Sequence, residues 1–168
     1  MFEYSVSGLG AISMTAEEII DRFNLKPLPH EGGYFTEVYQ DCENRSQSSI
    51  YYLITEEGFS ALHRLKIVEI FHFYAGDALE TIQIDPEGNL TQTRLSGLDQ
   101  GGAPQLVVPR HHWQGTRLAE GGQWALIGST CGPAFEWSDF ELGDRDSLIE
   151  SYPAHREKIM RYSRIQFT

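Results

Sequence analysis

A chain of 168 residues with 40% hydrophobic content is long enough to build one domain around one substantial core. Its net charge of −11 repels phosphate backbones and anionic lipid heads, which argues against nucleic acid or a membrane as a partner and leaves solubility as the role of the charge. Sixteen glycines and 12% aromatic residues suit many short strands joined by tight turns.

The chain opens Met1-Phe2-Glu3-Tyr4, with no basic leader. No run approaches the roughly 20 apolar residues of a membrane span. Cys42 and Cys131 lie far apart without C-x-x-C spacing, so two reduced thiols and a cytoplasmic protein are expected. Thr15-Ala16-Glu17-Glu18 reads as a capping box that opens a short helix over about 15–24, with Ile19, Ile20 and Phe23 as its buried face. Lys26-Pro27-Leu28-Pro29 ends it. From Tyr34 to about Phe140 the pattern changes to short runs rich in β-formers: 34–40, 49–54, 61–64, 69–74, 78–84, 90–95, 104–108, 113–117 and 123–130. Turns such as Ala75-Gly76-Asp77 and Asp85-Pro86-Glu87-Gly88-Asn89 punctuate them. Strands at this spacing without intervening helices predict an all-β antiparallel barrel or sandwich. The tail over 146–162 reads as helical again, broken at Pro153. No repeat or linker interrupts the chain, so one domain over 1–168 is expected, with its barrel core at about 33–142.

Two segments carry chemistry. In Gly58-Phe59-Ser60-Ala61-Leu62-His63-Arg64-Leu65, continuing through Glu69 to Gly76, a histidine and a glutamate sit on neighbouring strand-like runs. Side chains alternate along a strand, so His63 shares a face with Leu65, and Glu69 shares one with Phe71 and Phe73. His72 has the opposite parity and points away. The order resembles the first signature of the cupin superfamily, G-x5-H-x-H-x(3,4)-E-x6-G, whose two histidines and glutamate bind a metal inside a small barrel. Leu65 occupies the second histidine position. The stretch Pro109-Arg110-His111-His112-Trp113-Gln114 aligns with the second signature, with His111 in place of a glycine and Gln114 in place of the last histidine. A divalent metal could therefore draw on His63, Glu69 and Gln114, with His112, which has the parity of Gln114, swinging inward as a substitute. The metal-free alternative is a pocket histidine paired with Glu69, a general base and its orienter. Cupin relatives of the dTDP-4-dehydrorhamnose epimerase type work with a histidine base and a tyrosine acid, and Tyr51, Tyr52 and Tyr74 are the candidate acids here.

Beyond these signatures, the chain resembles cupin family five, long catalogued as a domain of unknown function. The likeness runs from about Leu25 to Leu142. It rests on Glu31-Gly32-Gly33-Tyr34-Phe35, the strand around Tyr51-Tyr52, the His63 and Glu69 run, Pro104–Pro109, Trp113-Gln114 and Pro133–Phe140. It implies a cupin double-stranded β-helix (a jelly-roll barrel) flanked by short N- and C-terminal helices, and a homodimer. It also implies that Leu65 and Gln114 are ordinary occupants of their positions. The expected site comprises His63 and Glu69 as the proton-transfer pair, Gln105 and Gln114 as hydrogen-bond donors, and Phe71, Phe73 and Trp113 as apolar walls. Tyr52 and Glu31 complete it, Glu31 closing over the barrel mouth. Three functions stay open: a metal-independent isomerase or epimerase on a polar, sugar-like substrate, a binding module for a small polar ligand without chemistry, and a weak divalent-metal enzyme.

Overall fold

In the computed structural model, which describes residues 14–164, Thr15 and Glu18 close a reciprocal cap. The Glu18 backbone N–H donates to Thr15 Oγ1 at 3.2 Å, and the Thr15 N–H donates to Glu18 Oε2 at 2.8 Å. Helix α1 follows over Ala16–Phe23 and stops at Asn24, which takes the left-handed conformation (φ 50°). The Met1–Tyr4 opening lies outside the described residues. Among the described residues, no helix is long and apolar enough to cross a membrane.

Eleven strands come next: β1 (Lys26–Pro27), β2 (Tyr34–Gln40), β3 (Ser48–Thr55), β4 (Ser60–Leu65), β5 (Val68–Gly76), β6 (Leu79–Ile84), β7 (Leu90–Leu95), β8 (Gln105–Val108), β9 (Trp113–Leu118), β10 (Trp124–Gly132) and β11 (Phe140–Leu142). Helices α2 (Arg145–Ser151) and α3 (Arg156–Tyr162) close the chain, separated by the turn at Pro153, where a proline cannot continue a helix. Nine strands match the β-rich runs of the sequence. The additional ones, β1 and β11, have two and three residues, too short to show a period of two.

All named strand pairs are antiparallel. One sheet has the order β1-β2-β3-β10-β5-β8 and the other β11-β4-β9-β6-β7, a jelly-roll arrangement. Helix α1 covers one end of the first sheet's outer face, with Ile19 and Leu25 packed on Leu53 and Leu126. Helices α2 and α3 cover the second sheet, where Leu148, Ile159 and Tyr162 pack on Leu62, Ile82, Ile84 and Trp113.

The space between the sheets divides along the strands. At one end, Tyr52, Ile54, Phe71, Leu79, Leu95, Val108, Ala125 and Ile127 form a closed apolar core. Each large side chain there contributes about 1.5–3 kcal/mol through burial. One or two inward positions further along the same strands, the residues border a cavity instead: Ser48 and Ile50 on β3, Glu69 on β5, Ser129 and Cys131 on β10. The barrel is thus filled at one end and hollow at the other.

The hollow end is shaped by the turn before β2. Gly33 has φ +72°, and a Cβ there would stand 2.7 Å from the Tyr52 ring and 2.8 Å from the Leu53 carbonyl oxygen. Only glycine fits so close an approach in that conformation. Tyr52 in turn donates its hydroxyl hydrogen to the Gly32 carbonyl at 2.8 Å, which holds the turn against the barrel.

Candidate active site in the open end of the barrel

The hollow end encloses about 470 Å3. His63 enters it from β4, directly across from Gln114 of β9, and Glu69 enters from β5, across from Cys131 of β10. Glu31 arrives on the Gly32-Gly33 turn. Its carbonyl accepts from the Ala61 N–H at 3.0 Å, and its Oε1 accepts from the Ser60 hydroxyl at 2.6 Å.

The partners of His63 fix its tautomer. Nδ1 lies 2.8 Å from the Ala61 carbonyl oxygen, which can only accept, so Nδ1 carries the proton and Nε2 presents its lone pair. Nε2 takes a hydrogen bond from the Gln114 amide nitrogen at 3.1 Å and lies 3.8 Å from Glu31 Oε2. The imidazole stacks on Phe140, with centroids 5.2 Å apart and planes 23° from parallel. The Gln114 amide nitrogen also donates to Glu69 Oε2 at 2.5 Å, and the Ser129 hydroxyl donates to Glu69 Oε1. Gln114 is fully enclosed, and its carbonyl oxygen has no partner among the described residues. The reverse orientation of the amide would set that oxygen against an ionised carboxylate, so both N–H groups stay on Glu69 and His63.

Burial pushes the Glu69 carboxyl above the usual carboxylate range; the His63 imidazole acts against this, Glu31 adds to it, and the Ser129 and Gln114 donors also oppose it. Burial, reinforced by Glu69, also raises the Cys131 thiol far above its ordinary value, so it is a neutral group and no thiolate nucleophile. Tyr52 is raised well above the phenol range by burial first and by Glu31 second.

The structure thus brings together four of the expected residues, His63, Glu69, Gln114 and Glu31, but connects them differently. Glu69 does not orient His63; the Ala61 carbonyl does, and Glu69 reaches the ring only through Gln114. Tyr52 lies under the turn with its hydroxyl committed to Gly32, and none of the described tyrosines lines the cavity. Phe71 and Phe73 share the inward row of Glu69 but sit two and four residues further along it, in or against the closed core. Trp113 is adjacent to Gln114 and therefore points the other way. It packs under α2 and α3 with the Arg64 guanidinium 4.5 Å above its ring. Gln105 pairs with His72 on the outer face and bonds its Nδ1 at 3.0 Å. His112 lies in the turn before β9 and does not line the cavity. His111 takes φ +67°, the conformation of the glycine it replaces.

Residues without a role in the sequence reading also line the space: Phe35, Ser129, Cys131, Phe135, Trp137 and Phe140. Ser129 and Cys131 were within reach of strand parity. Phe135 and Trp137 belong to the irregular segment before β11 and Phe140 opens that three-residue strand, which is too short to show a periodicity.

A metal centre requires several lone pairs aimed at one point. Both Glu69 oxygens hold donors, Gln114 presents its nitrogen, and Leu65 faces the space with an apolar group. That leaves the His63 ring and Glu31, and among the described residues no group of three His, Cys, Asp or Glu side chains is arranged to hold a metal ion. The donor set does not fit one.

Known structures share this architecture. A protein from Shewanella oneidensis is 32% identical over 92% of this chain and all of its own, with a TM-score of 0.84. A hypothetical protein from Leishmania major is 29% identical over 90% of this chain and all of its own, with a TM-score of 0.83. A cupin 2 conserved barrel domain protein from Rhodopseudomonas palustris, at 17% identity and a TM-score of 0.57 over 83% of this chain and 87% of its own, shares the fold alone. The same holds for a Bacillus subtilis oxalate decarboxylase, at 13% and 0.56 over 86% of this chain and 41% of its own. No functionally curated protein matches the sequence. A model described as "Cupin superfamily (DUF985)" matches residues 17–143, most of the chain including every strand from β1 to β11, and the protein belongs to that family.

Proposed function

We propose that this protein is a small-molecule proton-transfer enzyme of the isomerase or epimerase kind, with His63 as the base. One observation carries the reading: a tautomerically fixed imidazole nitrogen faces an enclosed cavity with a carboxylate 3.8 Å away. A carbon acid entering the cavity displaces the Gln114 amide from Nε2. The C–H electron pair moves into the adjacent carbonyl as an enolate, Nε2 takes the proton, and Glu31 pairs with the imidazolium. Return of the proton to the other face, or to the neighbouring carbon, completes the isomerisation. Glu69, pushed toward its neutral form by burial, is the nearby acid for the enolate oxygen. The free thiols Cys42 and Cys131 fit a reducing cytoplasm.

Among the described residues no tyrosine acid lines the cavity, which favours a second reading, a binding module that holds its ligand unchanged. Solvent-deuterium exchange separates the two. Small carbonyl compounds with an acidic C–H are incubated with the protein in D2O and followed by NMR. The enzyme reading expects deuterium at one carbon of a bound compound and none with His63→Asn. A ligand that binds wild type and His63→Asn equally, with no exchange in either, selects the binding module.

A further inference from the structure

We infer that the ligand of this cavity carries a positive charge: a small organic amine or quaternary ammonium compound with an apolar body. This deepens the proposed function and rests on the same site. Among the described residues, four carboxylates face the space, Glu31 and Glu69 deep inside and Glu37 and Glu136 toward the mouth, while no lysine or arginine lines it. Arg45, the neighbouring cation, is committed to Glu136 at 3.0 Å and to the buried Asp139. Glu69 has both oxygens bonded by neutral donors, but Glu31 Oε2 has no hydrogen-bond donor, its nearest ring nitrogen standing 3.8 Å off. A largely buried carboxylate oxygen of this kind, open to a cavity, is left for a cation from solution.

The walls agree with the charges. From the half-exposed Trp137, aromatic contacts run to Phe140 at 5.6 Å and to Phe135 at 5.3 Å, and Phe140 stacks on His63. Phe35 adds to this lining from β2. Aromatic faces and carboxylates together attract an ammonium group, and the ring faces also accept the apolar part that carries it. Phosphorylated sugars, nucleotides and dicarboxylates meet Glu31 and Glu37 here and, among the described residues, find no lysine or arginine in the lining to bind them.

The test is calorimetric titration of the full-length protein with three probes of one shape: benzylammonium, benzyl alcohol and benzoate. Trp137 fluorescence is followed in parallel. Benzylammonium should bind at least about tenfold tighter than either isostere, a difference of about 1.4 kcal/mol. Glu31→Gln should weaken it about tenfold. Glu37→Gln, at an exposed position that does not threaten folding, should weaken it severalfold. Benzoate or benzyl alcohol binding as tightly as benzylammonium overturns the inference. So does undetectable benzylammonium binding at about 10 mM, or affinity unchanged in both variants, which places the cation elsewhere on the acidic surface. Failure of the proton-transfer reading looks different: the ammonium probe binds, but no amine that binds exchanges a C–H with solvent.

Discussion

Replacing Glu69 by glutamine removes one titrating carboxyl from the cavity while keeping its shape. In the folded protein, burial holds this group above its ordinary value and outweighs the His63, Ser129 and Gln114 contributions that lower it. The sign follows from linkage. At a pH between the unfolded value, about 4.3, and the raised folded value, the native state binds the proton and the unfolded chain does not. Stability is therefore complete below the unfolded value and falls as pH rises through the window. One carboxyl sets the steepest slope at about 1.4 kcal/mol per pH unit. The Gln variant lacks this loss. Its single amide oxygen can still accept from Ser129 or from Gln114, as a Glu69 oxygen does in the wild type. Urea unfolding of both proteins from about pH 4.5 upward gives the difference directly, since groups common to the two cancel. The variant should gain on wild type steadily as pH rises. Parallel curves, or a wild type that gains on the variant, would refute the assignment of Glu69 as a burial-destabilised carboxylate.

The donor accounting in the cavity makes a prediction about metal. Protein purified without chelator should carry well under one transition metal per chain by elemental analysis, while the Leu65→His/Gln114→His double variant supplies the missing imidazoles and should load close to one. Stoichiometric metal in the wild type would show that Gln114 and Ser129 release Glu69. The outer face of the first sheet beyond α1 aligns Tyr39, Ser49, Thr130, Ile70 and Val107 in one cross-strand row, with Tyr39 and Val107 about half exposed. We propose two-fold pairing of that face: the protein should sediment at twice the 19.1 kDa chain mass, and Val107→Glu should drive it to monomer. A wild type that sediments as monomer at micromolar concentration removes the dimer.

The sequence by itself carried the strands, the flanking helices and the family, because these depend on local signals. The Thr15–Glu18 cap, the alternation along Glu69, Phe71 and Phe73, and the turn chemistry around Gly76 act over a few residues each. Parity also placed His72 outside. What parity could not supply was position along the barrel: Glu69 and Phe71 share a face, yet one borders the cavity and the other fills the closed end, a distinction set by which cross-strand neighbours are large. Nor could it rank adjacent residues, so Trp113 and Gln114 were both assigned inward although a strand turns them to opposite sides. The link from His63 to Ala61, the bridge from Gln114 to Glu69 and the approach of Glu31 to His63 join residues between 2 and 45 positions apart. The packing of the two sheets face to face sets Glu69 of β5 against Gln114 of β9, and the folding of the Gly32-Gly33 turn onto Tyr52 brings Glu31 to His63. The sequence therefore named most of the chemical groups, and the tertiary structure decided which of them touch, because contact at a few ångströms depends on register and twist that no local pattern encodes.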